Sequence, residues 1–194
     1  MSLKGVYLVT KNDLINALEV SPIIAAVRDD GWDKAIASPA EVIFYLKANL
    51  MTVKEKVAEA VKNGKIVFVH IDLADGIGKD KTGVEFLAEC GVHGIISTRN
   101  QLISIAKEKG LLTVQRFFAL DSQGIESIRD VSSMSAATAL EIMPGIVSKI
   151  IEKFAEKGAL VIAGGLIETK DEVMTALNAG AAAVSTGKNN LWNI

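Results

Sequence analysis

The sequence predicts a closed barrel of eight parallel βα units, and three observations carry that expectation. Apolar, β-branched runs recur along the whole chain. Stretches with helical apolar spacing separate them. Two small-residue loops, Gly164-Gly165 and Ser185-Thr186-Gly187, end the last two runs. The candidate strands begin near Ile23, Val42, Ile66, His93, Leu111, Thr138, Ala159 and Ala181, so successive starts lie 18 to 27 residues apart. Strands at that period, each apolar throughout rather than alternating, are those of a buried parallel sheet. A doubly wound open sheet is the alternative, but it usually carries a glycine-rich loop after its first strand. Ala25-Ala-Val-Arg28 offers none.

The elements follow in order. Leu14 to Val20 reads as a helix preceding the first strand, and the first crossover is short. Thr52-Val-Lys-Glu55 is a capping-box pattern opening a helix that Asn63-Gly64 stops. Val147 to Lys157 carries Ile150, Ile151 and Phe154 at helical spacing before Gly158. Thr169-Lys-Asp-Glu172 is a second capping box, with Gly180 as the stop. The chain ends at Leu191-Trp192-Asn193-Ile194, so the helix after the eighth strand is short or absent. The expectation is one (β/α)8 domain over residues 1–194. An apolar edge left near Leu191 and Trp192 would make a homodimer plausible.

Composition narrows the function. The 21 basic and 23 acidic residues give a net charge of −2, so a nucleic-acid role would need a local basic patch. No apolar run reaches the length of a membrane span. A lone cysteine, Cys90, rules out an intramolecular disulfide and suits a reducing cytoplasm; it reads as a small buried hydrophobe at a helix end. No His/Cys group has zinc spacing, no lysine stands within a strand as a Schiff-base aldolase would require, and no Gly-x-Ser-x-Gly elbow or Walker loop occurs. No cofactor or metal is expected.

In such barrels the site is built at the C-terminal ends of the strands, with phosphate commonly held after strands 7 and 8. The residues at those ends are Arg28, His70, Asp72, Ser97, Arg99, Arg116, Glu141, Gly164, Gly165, Ser185, Thr186 and Gly187. Glycine lets backbone N–H groups approach an anion, so the last five form the expected phosphate loops, against the plainer reading of turn residues. His70 and Asp72, two apart, should share a strand face; they could act as an acid/base pair or position a ligand hydroxyl, or form a structural hydrogen bond. Arg28, Arg99 and Arg116 at strand ends favour an anionic ligand over scattered ion pairs. Glu141, inside a buried strand, needs a partner: ligand hydroxyls or an arginine such as Arg116.

Ordered segments across nearly the whole chain carry a resemblance. They are Ser21-Pro-Ile-Ile-Ala-Ala-Val-Arg28, His70-Ile-Asp-Leu73, Phe86-Leu87, Gly94-Ile-Ile-Ser-Thr-Arg99, Gln115-Arg116, Leu120-Asp-Ser122, Leu140-Glu-Ile-Met-Pro-Gly145, Ala163-Gly-Gly-Leu-Ile167 and Leu191-Trp192. Together they resemble the glycerol-3-phosphate-responsive antiterminator family, the glycerol uptake operon regulators. The resemblance implies a barrel without turnover that binds sn-glycerol 3-phosphate and then a messenger-RNA leader, preventing premature termination of glycerol-utilisation transcripts. It would place the phosphate at Gly164, Gly165, Ser185 and Thr186. In the leading expectation, ligand then orders the loops after strands 3 and 5. The competing expectation is a barrel enzyme acting on a phosphorylated C3 substrate.

Overall fold

A computed structural model describes residues 9–28, 30–119 and 137–194. Eight parallel strands close in sequential order into one barrel. They are β1 (Ile23–Val27), β2 (Val42–Tyr45), β3 (Ile66–His70), β4 (Gly94–Ser97), β5 (Leu112–Phe118), β6 (Ala139–Met143), β7 (Val161–Gly164) and β8 (Ala183–Thr186). Closure joins β8 to β1, with Ile24 opposite Ser185. Each predicted strand start falls within two residues of the observed one. The described helices are α1 (Lys11–Val20), α2 (Trp32–Ala37), α3 (Val53–Lys62), α4 (Lys81–Glu89), α5 (Asn100–Glu108), α6 (Ser148–Ala155) and α7 (Lys170–Asn178). The expected polar loop from Asp121 to Ser135 lies outside the described residues.

Two apolar cores sandwich the sheet wall, because successive residues of a strand face opposite ways. Ile43, Tyr45, Val67, Val69, Ile95, Ile142, Ala163 and Val184 belong to the core shared with the surrounding helices. Ile24, Val42, Phe44, Phe68, Ile96, Val114, Ala139, Ile162 and Ala183 fill the barrel interior, where Phe44 and Phe68 meet edge to face at 5.5 Å. Leu14, Ala17 and Leu18 of α1 join that inner core. A helix preceding β1 enters at the N-terminal end of the strands, so α1 plugs the barrel there and leaves the other end open. Thr10 and Asp13 cap it with a full capping box, starting the helix three residues earlier than its apolar spacing suggests.

Three sequence expectations need correction. Thr52 precedes α3 but makes no capping bond, because its backbone sits at φ −120°, ψ −15° rather than in the extended conformation a capping residue adopts. Asp72 lies past the end of β3, in a single 3-10 turn from Ile71 to Leu73, so period-two alternation does not govern it. Leu191 and Trp192 are not an exposed apolar edge: both are buried in a 3-10 helix, Asn189–Asn193, that follows β8. Trp192 donates from Nε1 to the Thr186 carbonyl at 2.8 Å, which pins the chain end against β8. The stated ground for a homodimer therefore disappears. No described helix is long and apolar enough to cross a membrane.

Candidate functional site

Strand alternation also determines what the mouth contains. Continuing inward from Phe68, Val114, Ala139, Ile162 and Ala183 by two residues gives His70, Arg116, Glu141, Gly164 and Ser185. A polar layer therefore lies on top of the apolar filling, at the C-terminal ends of the strands. Arg116 and Glu141 stand opposite each other in the β5–β6 register, and Gly164 opposite Ser185 in β7–β8.

This layer is internally bonded. Arg116 Nε donates to Glu141 Oε2 at 2.6 Å, and Ser185 Oγ donates to Glu141 Oε1 at 2.6 Å. Glu141 is 1% exposed, so both carboxylate oxygens are satisfied without water. Arg116 Nη1 lies 3.4 Å from His70 Nδ1. Of the two sequence readings of Glu141, pairing with Arg116 is the one observed. Gly164 is required here: a Cβ would sit 2.5 Å from Glu141 Oε1 and 2.8 Å from Ser185 Oγ.

A second cluster lies on the β3–β4 side. Asp72 accepts from Ser97 Oγ at 2.8 Å, from the Thr98 N–H at 2.7 Å and from Thr98 Oγ1 at 3.0 Å. Arg99 Nε is 3.8 Å away, and its N–H donates to Ser97 Oγ at 3.0 Å. Burial opposes ionisation of Asp72, but the neighbouring His70 and the donors from Thr98 and Ser97 outweigh it and hold the carboxyl well below the usual carboxylate range. A group with a depressed folded pKa stabilises the protein above its unfolded value and loses that contribution as pH falls. Acid unfolding should therefore steepen below about pH 4, and Asp72→Asn should flatten that acid limb. Urea midpoints measured from neutral pH down to pH 3 check this; equal pH slopes in the two proteins would count against it.

Above the polar layer a cavity of about 610 Å³ opens at the barrel mouth. Arg28, Arg116, Glu141, Gly165, Ser185, Thr186 and Gly187 line it. Seven of the sequence-predicted residues thus share one wall. His70 lies beside Arg116 and Gly164 against Glu141, while Asp72, Ser97 and Arg99 form the separate cluster. Arg28 forms no ion pair with any described residue and also borders two neighbouring cavities of about 410 and 400 Å³. It is the shared cation of the mouth.

The two loops expected to hold phosphate are tied internally. The Ser185 and Thr186 hydroxyls are already engaged: Thr186 Oγ1 donates to the Ile167 carbonyl at 2.8 Å and accepts from the Lys188 N–H at 3.1 Å. Thr186 therefore ties the loop after β7 to the loop after β8. Gly187 is the open position, since a Cβ there would meet nothing nearer than the Ala26 carbonyl oxygen at 3.6 Å. Packing does not demand glycine at 187, yet the residue lines the cavity. Lys188, which the sequence reading passed over, lines it too and pairs across the rim with Glu168 at 3.0 Å. Its position directly after Gly187 was the available signal. The loop after β3 is already tied down. The Leu50 N–H donates to the Asp75 carbonyl and the Asp75 N–H to the Ala48 carbonyl, while Lys79 Nζ donates to the carbonyls of Ala74 and Ile77.

Residues 23–192 match the family profile described as Glycerol-3-phosphate responsive antiterminator. The chain belongs to that family. A family member from Listeria monocytogenes, a glycerol uptake operon antiterminator regulatory protein of known crystal structure, is 32% identical, with a TM-score of 0.83 over 89% of this chain and 95% of its own. An antiterminator-related protein from Thermotoga maritima is 33% identical, with a TM-score of 0.78 over 88% and 96% of the two chains. The Escherichia coli protein YgcP, described as uncharacterized, is 32% identical over 93% of this chain and 96% of its own. Barrel enzymes are similar in fold alone, among them orotidine 5'-phosphate decarboxylase from Pyrococcus horikoshii at 14% identity and a TM-score of 0.64 over 84% and 88% of the chains. The family is one of regulators, and the polar layer suits that: its strongest groups are bonded to one another rather than held ready to react.

Proposed function

We propose that this protein binds glycerol 3-phosphate in the barrel mouth and, in that form, engages the leader of a messenger RNA in the cytoplasm as an antiterminator of glycerol-uptake transcripts. The observation that carries the reading is the convergence of Arg28, Lys188 and the open backbone of Gly187 on one cavity. A phosphate lodged there meets two cations and a backbone that no side chain screens. Arg116, whose Nε is committed to Glu141, keeps its terminal nitrogens near the floor of the cavity, where they can donate to ligand hydroxyls. Membership of a glycerol-3-phosphate-responsive family supports the same ligand.

Calorimetry tests the ligand and a gel shift tests the partner. Glycerol 3-phosphate should bind and glycerol should not. The glycerol-operon leader RNA should shift at lower protein concentration when the ligand is present. Linkage then requires the RNA to tighten ligand binding by the same factor. Equal ligand affinity with and without RNA would overturn the coupling, and absence of glycerol 3-phosphate binding would overturn the sensor itself.

A further inference from the structure

His70 is buried at 4% exposure, and its Nε2 has no hydrogen-bond partner among the described residues. Its surroundings are charged on both sides. Nδ1 faces Arg116 Nη1 at 3.4 Å, and Nε2 faces Asp72 Oδ2 at 3.5 Å. A guanidinium can only donate, so the nitrogen facing it must present a lone pair. A carboxylate can only accept, so the nitrogen facing it must carry the proton. Both neighbours select one tautomer, neutral with hydrogen on Nε2. Asp72 is held ionised by its other donors, so it keeps selecting that tautomer.

We propose that His70 is a positioning residue for the anion site: through its Nδ1 lone pair it holds the Arg116 guanidinium in place, and its protonation releases Arg116 and weakens ligand binding. This rests on the ligand reading above. The chain of contacts is short. Asp72 lies on the turn after β3, His70 at the end of β3, Arg116 on β5 and Glu141 on β6. Glu141 holds Arg116 at Nε, and His70 faces Nη1. These two contacts restrain the guanidinium from two directions and leave its remaining donors toward the cavity. A proton added to Nδ1 turns the acceptor into a donor and sets a second cation beside Arg116. Among the described residues, the charged groups facing the imidazole are Arg116 from β5 and Asp72 from the turn. Arg99 acts only through Asp72, and Glu141 only through Arg116. Ser97 on β4 adds a neutral hydroxyl to Asp72.

Two measurements test this on the full chain. In ¹⁵N-labelled protein, two-bond ¹H–¹⁵N correlations at pH 8 should show His70 as the Nε2–H tautomer, with the signal identified by its loss in His70→Asn. This readout needs no ligand, so it stands even if glycerol 3-phosphate fails to bind. A protonated Nδ1 would overturn the proposal. The second measurement is calorimetry with glycerol 3-phosphate from about pH 5 to pH 8. The ligand phosphate itself titrates near pH 6, so the wild type is compared with its variants at each pH. His70→Asn keeps an acceptor near the Nδ1 position. It should bind at pH 8 within about twofold of wild type and lose less affinity toward pH 5, since the expected effect is the worth of one hydrogen bond. His70→Leu should bind roughly tenfold more weakly at pH 8. Equal losses in both variants, or unchanged pH profiles, would overturn the proposal. If His70→Leu does not fold, His70→Asn and the tautomer still decide it.

Discussion

Replacing Glu141 with alanine is expected to destabilise the protein by about 3–5 kcal/mol, the cost of leaving one member of a buried ion pair without its partner. Arg116 is itself buried, with its side chain 8% exposed, so water cannot take over from the lost carboxylate. Ser185 loses its acceptor in the same step, since its hydroxyl donates only to Glu141. Replacing both members with apolar groups of similar size, Arg116→Met with Glu141→Leu, should recover more than half of the loss, because no orphaned charge then remains. Urea denaturation of Glu141→Ala, of Arg116→Met and Glu141→Leu singly, and of the double variant measures the loss and closes the cycle. A Glu141→Ala cost below about 1 kcal/mol, the range of exposed pairs, would mean that the pair is solvated in solution. The double variant should also lose ligand affinity, since Arg116 lines the cavity.

Gly187→Ala is expected to lower affinity for glycerol 3-phosphate by about 5- to 150-fold, with little change in melting temperature. The nearest atom to the added Cβ is the Ala26 carbonyl oxygen at 3.6 Å, an ordinary van der Waals contact, so the fold accepts the methyl group. A ligand close to the backbone would not: forcing a methyl group into an occupied space costs about 1–3 kcal/mol. Gly164→Ala is the contrasting case. Its Cβ would enter the Glu141 carboxylate and the Ser185 hydroxyl, so stability should fall along with binding. Thermal melts with calorimetry separate the two. Unchanged ligand affinity in Gly187→Ala would remove the phosphate from this loop. Loss of stability in that variant would mean that Gly187 serves packing after all, as Gly164 does.

Much of the barrel was legible because its signals are local. Eight apolar runs separated by helical spacing fold into strands whose starts match within two residues, since burial on both faces leaves little freedom in where a parallel strand can begin. The capping box at Thr169 formed, with reciprocal bonds to Glu172. The identical pattern at Thr52 did not, because the chain there is held by a separate contact. The loop after β2 is paired with the loop after β3 through the Asn49–Asp75 bridge, and the N–H groups of Thr52 and Val53 donate to the Asn49 carbonyl. That contact joins residues far apart in sequence, and no window of residues 52 to 55 could reveal it.

The site divides the same way. Sequence by itself placed His70, Arg116, Glu141 and Ser185 in one layer at the strand ends, but it did not point to Lys188 on the cavity wall. Strand ends in a parallel barrel all face one side, and alternation by two carries His70, Arg116, Glu141 and Ser185 onto the apolar filling. Only the tertiary structure decided how they are used. It committed Glu141 to Arg116 and Ser185, spent Thr186 on joining two loops, and buried Trp192 where an exposed edge was expected. It also made Gly164 a packing requirement while leaving Gly187 open to the cavity. The physical reason is distance. Propensity and periodicity act over a few residues, whereas a hydrogen bond between β6 and β8 spans 44 residues of chain and exists only once the barrel has closed.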